Sequence, residues 1–235
     1  MEKRYVTGTT KETLLEMVED IEEASRISLD TETTSLNPRK GKIIGFSITT
    51  KIGTGFYLPT LKWNNYTQKL EELLIEGKST HNIAVRVMKM LKGKKLICHN
   101  ASFDLRYIKN YYGVSLIEDL WVDTALLVHT VQEEGAGMGV FGLKPLAVSI
   151  QEHIGLNVEE AANKEQVELK ESIKKNGGST TKDSFEIYKA DMEILSKYAA
   201  ADTDLSLRIC NYFLTKLTEE KSEKSFFEKV KDMFS

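Results

Sequence analysis

The residues Ile27-Ser28-Leu29-Asp30-Thr31-Glu32-Thr33-Thr34 constrain this chain more than any other stretch. The first half is apolar and strand-forming, and it runs directly into two carboxylates two positions apart. On a strand, side chains at i and i+2 point to the same face, so Asp30 and Glu32 project side by side. Adjacent anions repel, and burying them without partners is costly. Such a pair is either a solvated strand end or a holder of a divalent cation through oxygen ligands. The second reading needs further carboxylates downstream in suitable settings.

Two segments supply them. His99-Asn100-Ala101-Ser102-Phe103-Asp104 stands where an apolar strand, residues 95–99, gives way to a helix. Asn100 is placed to cap that helix and Asp104 falls in its first turn. Capping explains Asp104 less well than Asn100, because ligands gather at strand C-terminal ends in open α/β sheets. Lys197-Tyr198-Ala199-Ala200-Ala201-Asp202 lies inside the last long helix. There Tyr198 and Asp202 are i and i+4 and share a face, whereas Asp204 points elsewhere. The alanines leave room for a close approach. Asp30, Glu32, Asp104 and Asp202 could together hold two hard divalent ions about 4 Å apart, with Tyr198 orienting water, an arrangement suited to displacement at phosphorus.

The 235 residues suit one large domain, and a 41% hydrophobic content is ample for a packed core. A formal charge of −3 argues against a nucleic-acid binder that relies on bulk electrostatics. Cys98 and Cys210 are far apart, with no CxxC or Cys/His pairing, which argues against a disulfide framework and structural zinc. No apolar run follows Met1 and no stretch approaches the roughly 18 apolar residues of a membrane span, so a soluble, intracellular protein is expected. His81, His129 and His153 lack ligand spacing, His99 reads as a hydrogen-bonded histidine, and Trp63 and Trp121 read as core.

Periodicity predicts a short strand at Tyr5-Val6, a helix capped by Thr9 or Thr10, and the strand from Arg26 to Glu32. Strands at 42–49 and 56–59 complete an antiparallel meander. Residues 63–74 read as a loop and a short helix. A helix ending at Lys92-Gly93, the fourth strand, a helix over 103–112, a fifth strand at 120–122 and a helix over 124–131 follow. The rest reads as helical, the last long helix spanning 191–217, followed by a polar stretch and an amphipathic tail through Phe226, Phe227, Val230, Met233 and Phe234. The glycine-rich segment 135–139 follows no strand of a βαβ unit and is not a dinucleotide fingerprint. This gives residues 1–217 as one domain and 218–235 as a helical tail. The Lys89–Lys95 cluster and the 164–182 stretch are the candidates for phosphate-backbone contacts.

Asp30-Thr31-Glu32-Thr33-Thr34-Ser35-Leu36, Asn100-Ala101-Ser102-Phe103-Asp104 and Tyr198-Ala199-Ala200-Ala201-Asp202 resemble the three motifs of the DEDD superfamily of 3′→5′ exonucleases, in its tyrosine-bearing branch. More closely, the chain is similar to the proofreading domain of family A DNA polymerases, and next to the ribonuclease D group. Asp123-Thr124 and Phe141 to Ala147 match the same spacing, and the resemblance runs over roughly residues 4 to 217. It implies an α/β, ribonuclease-H-like fold with a five-stranded mixed sheet flanked by helices. It also implies Mg²⁺ or Mn²⁺, two ions per site, with Asp30 bridging both, Glu32 and Asp202 completing one and Asp104 holding the other through water. Tyr198 would position the nucleophile, Leu36 would wedge against the terminal base, and Thr33, Asn100 and Phe103 would line the groove. This chain departs from the family at Ala201, where relatives often carry Glu, and at Val140-Phe141, where some carry basic residues; Lys144 would substitute for these.

The resemblance thus implies a metal-dependent exonuclease that removes nucleoside 5′-monophosphates from single-stranded DNA 3′ ends, proofreading beside a family A-like polymerase. The chain would be an excised domain or a free-standing subunit, including a viral or phage protein acting in the host cell. An exoribonuclease of the ribonuclease D kind is the first rival. A catalytically inactive nucleic-acid-binding or polymerase-associated module is the second.

Overall fold

The strands Arg26–Thr33, Ile43–Thr49 and Thr54–Pro59 follow one another with no helix between them, and this sets their antiparallel order. The computed structural model describes residues 3–131, 142–155 and 157–232. The glycine-rich segment 135–139, Val140, Phe141, Met233 and Phe234 lie outside the described residues, as do the side chains of the expected amphipathic tail.

In chain order the elements are β1 (Arg4–Thr7), α1 (Lys11–Glu23), β2 (Arg26–Thr33), β3 (Ile43–Thr49) and β4 (Thr54–Pro59). Two small hairpins follow, β5 (Leu61–Asn64) with β6 (Lys69–Glu72), and β7 (Leu74–Ile75) with β8 (Lys78–Ser79). Then come α2 (Thr80–Met90), β9 (Lys95–Cys98), α3 (Ala101–Tyr112), β10 (Leu120–Asp123) and α4 (Thr124–Val131). The helical half comprises α5 (Leu143–Ser149), α6 (Gln151–Ile154), α7 (Val158–Lys175) and α8 (Met192–Asp232).

The main sheet has six strands in the order β1-β4-β3-β2-β9-β10, one more than expected, because β1 adds parallel to β4 at the edge. β2, β3 and β4 form the antiparallel meander, while β9 and β10 continue the sheet in parallel from β2. Residues 63–74, expected as loop and helix, carry most of the β5–β6 hairpin instead. The last helix, expected to stop at Leu217, runs unbroken to Asp232. Its 218–224 stretch is polar yet holds no glycine or proline to end it. No described helix is long and apolar enough to cross a membrane.

Alternation along β2 sorts its side chains between two cores. Ile27 and Leu29 face α1, α2 and α3, packing with Met17, Ile21, Met88 and Leu105. Ser28, Asp30 and Glu32 face the other way, toward α8, where Ile44, Tyr57, Leu169, Leu195 and Ala199 form a second core. Helix α8 comes unusually close to the sheet because small residues meet there. A Cβ on Gly55 would lie 3.0 Å from the Ala200 Cβ and 3.1 Å from its carbonyl oxygen. Thr203 Oγ1 lies 2.9 Å from Thr49 Oγ1, and Thr7 Oγ1 donates to Ser196 Oγ at 2.7 Å. The alanines between Tyr198 and Asp202 therefore leave room for the sheet itself. That contact brings the late motif against β2.

Candidate active site

Asp30, Glu32, Asp104, Tyr198 and Asp202 are brought together from β2, the first turn of α3 and the middle of α8. A register shift in the β2–β3 ladder between Glu32 and Thr33 bends the strand just past the acids. Their charges act on one another. Burial first, then Asp104, Glu32 and Asp202, raise the Asp30 carboxyl well above the carboxylate range. Burial and Asp202 push Glu32 up to about 8. Burial pushes Asp104 up to about 7, against the pull of hydrogen bonds from Thr31. Burial raises Asp202 as well, opposed by Lys144 and the Tyr198 hydroxyl. Tyr198 is raised chiefly by Asp202, so its hydroxyl keeps its proton and acts as a donor.

Each acid is held differently. Asp104 is 1% exposed, and its Oδ1 accepts from Thr31 N at 2.9 Å and from Thr31 Oγ1 at 2.6 Å. Thr31 stands between the two acids of β2, and its hydroxyl thus ties the second motif to the first. Asp202 Oδ1 lies 3.2 Å from Lys144 Nζ but makes no hydrogen bond. Lys144 Nζ also sits 3.5 Å from the centroid of the Tyr198 ring. Glu165, on α7, faces the same cluster: burial raises its carboxyl, while the charges of Lys144 and Asp202 act on it in opposite senses.

Beside the acids runs a groove of about 690 Å³. Thr33, Leu36 and Phe103 line it together with Lys182, Phe185 and Tyr188, and Glu32 and Tyr198 open onto it. Leu36 is 86% exposed, on a turn that is braced from beneath. Ser35 O accepts from Thr33 Oγ1 at 3.0 Å and from the Tyr107 hydroxyl, and Asn37 N donates to Ser35 Oγ at 3.1 Å. Thr33 thus supports the turn as well as lining the groove. Gly41 is needed there, because any Cβ would collide with the Tyr107 hydroxyl.

Asn100 does not line this groove. It borders a neighbouring cavity of about 550 Å³ with His99, Asp123 and Leu143. It occupies the N-cap position at φ 63°, and its side chain makes no capping bond. Asp123 does that work: its oxygens accept from Asn100 N at 3.0 Å, Ala101 N at 2.8 Å and Ala125 N at 3.0 Å, fastening α3 and α4 to one carboxylate. His99 Nδ1 pairs with Thr124 Oγ1 at 2.9 Å, as a hydrogen-bonded histidine should. Trp121 is not core; it is 37% exposed, with Arg26 and Lys95 over its ring.

Sequence reasoning assigned no role to Thr31, to the carboxyl of Glu165 or to residues 183–188, and gave Lys144 and the 164–182 stretch to phosphate rather than to the acids. Glu165 left a trace: it falls four residues before Leu169 and eight before Ile173, an acid on a buried apolar stripe.

A family model of the 3′-5′ exonuclease domain of the DNA polymerase A type matches residues 5–218. The chain belongs to the 3′-5′ exonuclease family. This exonuclease is 28% identical over 228 residues to DNA polymerase I of Borreliella burgdorferi, a match covering 96% of the chain and 21% of the polymerase. It spans about a fifth of the length of the polymerases it matches. Among solved structures, NrnC of Brucella melitensis with bound Mg²⁺ superposes with a TM-score of 0.56 at 16% identity, covering 96% of the exonuclease and 86% of that chain. Escherichia coli RNase D, an exoribonuclease involved in structured RNA processing, gives 0.54 at 16% identity, covering 92% of the exonuclease and 45% of that chain. These neighbours share the mixed-sheet, ribonuclease-H-like fold.

Exonucleases of this superfamily use divalent metals. Here the donor set suits a hard cation, being all carboxylate oxygen. Asp202 Oδ1 and the hydroxyl of Ser47, which is paired in register with Asp30, are buried without hydrogen-bond partners. Among the described residues no three acids yet converge on a common point. Asp104 is turned to Thr31 and Asp202 to Lys144.

Proposed function

We propose that this chain hydrolyses the last phosphodiester at the 3′ end of single-stranded DNA, releasing nucleoside 5′-monophosphates with the help of two divalent ions, Mg²⁺ or Mn²⁺. One observation carries the reading: acids from three separate segments act on one another and on Tyr198, and Glu32 and Tyr198 open onto a groove lined by Leu36 and Phe103. Asp30, Glu32, Asp104 and Asp202 would hold the ions. Ions so held lower the pKa of water and neutralise charge on the phosphate. Tyr198, kept protonated by Asp202, orients the attacking water by donating to it. The bond from water oxygen to phosphorus forms as the bond to the 3′ oxygen of the preceding nucleotide breaks, and that oxygen takes a proton. Leu36, held out on its braced turn, and Phe103 sandwich the terminal base, an apolar contact available to every base. We read residues 1–217 as the nuclease unit and 218–235 as an extension of it.

The match to bacterial and phage polymerases supports DNA as substrate, with proofreading for a family A-like polymerase in the cytoplasm or an infected cell. The likeness to RNase D supports RNA as the second reading. DNA and RNA of one sequence, labelled at the 5′ end, separate the two in Mg²⁺, Mn²⁺ or EDTA. The expected result is a metal-dependent ladder shortening from the DNA 3′ end, absent for Asp30→Ala. Faster trimming of RNA would shift the assignment. Binding without cleavage of either would leave a nucleic-acid-binding module.

A further inference from the structure

Lysine is seldom buried, and Lys144 is buried among acids. Its side chain is 15% exposed, its Nζ lies 3.2 Å from Asp202 Oδ1, and the face of Tyr198 covers it at 3.5 Å. Its charge pulls the carboxyls of Glu32, Asp202 and Glu165 back down. Yet neither Nζ nor Oδ1 makes a hydrogen bond, so the contact is one of charge without the geometry that fixes a buried pair. Resting on the metal-dependent reading above, we propose that Lys144 is the internal counter-ion of the carboxylate cluster and competes with divalent cations for Asp202 and Glu32.

The competition is steric and electrostatic. A cation bound through Asp202 Oδ1 would take the oxygen that Lys144 faces, and an ammonium beside a doubly charged ion is repelled whichever oxygen holds the ion. The ammonium is a compact charge on a flexible four-carbon stem. It can therefore leave Asp202 while α5 keeps its backbone. Asp104 behaves differently: hydrogen bonds from both the amide and the hydroxyl of Thr31 fix it in place. The cluster thus has a fixed side, at β2 and Asp104, and a side whose acid must be released, at Asp202. Cation uptake is an exchange of ammonium for metal.

The test titrates Mn²⁺ into the wild-type chain, Lys144→Met and Lys144→Arg, counting free ion by electron paramagnetic resonance, with Asp30→Ala as control. Lys144→Met should bind roughly fivefold tighter or more, whereas Lys144→Arg, which keeps the charge, should bind no tighter than wild type. Equal or weaker binding by Lys144→Met overturns the proposal while leaving the metal site standing. Binding by none of the three above the control overturns the metal reading and the proposal together. A second readout needs no variant: Lys144 in the wild-type chain should react with an amine-modifying reagent slowly in EDTA and faster in Mg²⁺. Labelling indifferent to Mg²⁺ overturns the exchange even if Lys144→Met fails to fold.

Discussion

Asp202 and Asp204 sit two residues apart on one helix, both buried, and the fold treats them in opposite ways. Asp204 is fully satisfied. Its oxygens accept from Gly53 N at 2.8 Å, from Arg208 Nε at 3.2 Å and from the Tyr5 hydroxyl at 3.1 Å, joining α8 to β1 and the β3–β4 turn. Asp202 faces three other acids and a lysine, with an oxygen that has no hydrogen bond. A buried charge with complete partners is a structural tie, and one with incomplete partners marks the site where a ligand completes the set.

That contrast is sharpest under mutation. Asp204→Ala leaves the Arg208 guanidinium buried without its acid and should cost about 3–5 kcal/mol in urea unfolding, the surviving folded fraction retaining its nuclease activity. Asp30→Asn should do the reverse, abolishing turnover while leaving stability in EDTA equal or higher, because one repelling anion is gone. Equal destabilisation by both variants would erase the distinction.

A smaller effect follows from protonation. The folded chain holds Asp104 at about 7 and Glu32 at about 8, whereas an unfolded chain titrates both near 4. Native molecules therefore bind protons that unfolded ones have lost. Their contribution is fully present below about pH 4 and is lost as pH rises through 7 to 8. Thermal unfolding in EDTA should show stability falling from pH 5 to pH 8. Mg²⁺ should flatten that slope, and so should Asp30→Asn, by removing a carboxyl that burial and its neighbours raise. A slope unaffected by either would detach the shifts from the cluster.

Smallest is the effect of Thr31→Val, which keeps the shape of the strand and removes one donor to Asp104. About 1 kcal/mol of stability is expected to go, with metal affinity or activity down about tenfold or more. Loss of stability alone would make Thr31 another structural tie like those around Asp204.

The acids were legible because strand alternation and the helical i,i+4 rule place Asp30, Glu32, Tyr198 and Asp202 without tertiary information. Lys144 was not, since a lysine one residue into a helix gives no local sign of turning inward. The β5–β6 hairpin escaped for a chemical reason: its turn places Gln68, not glycine, at φ 53°, so the usual punctuation is missing. The sixth strand is a four-residue edge whose pairing with β4 is settled by tertiary packing. Asn100 was expected to cap through its side chain; Asp123, twenty-three residues on, took the role by reaching across from β10.

The Gly55–Ala200 contact has a consequence for engineering. Because α8 is seated by steric fit and by the ties of Asp204, and Asp202 contributes no such tie, the framework is independent of the acids of the site. Replacing Asp30, Glu32 and Asp202 together, with Asp204 kept, would leave the walls of the groove where they are, turning a blade into a receptacle for single strands.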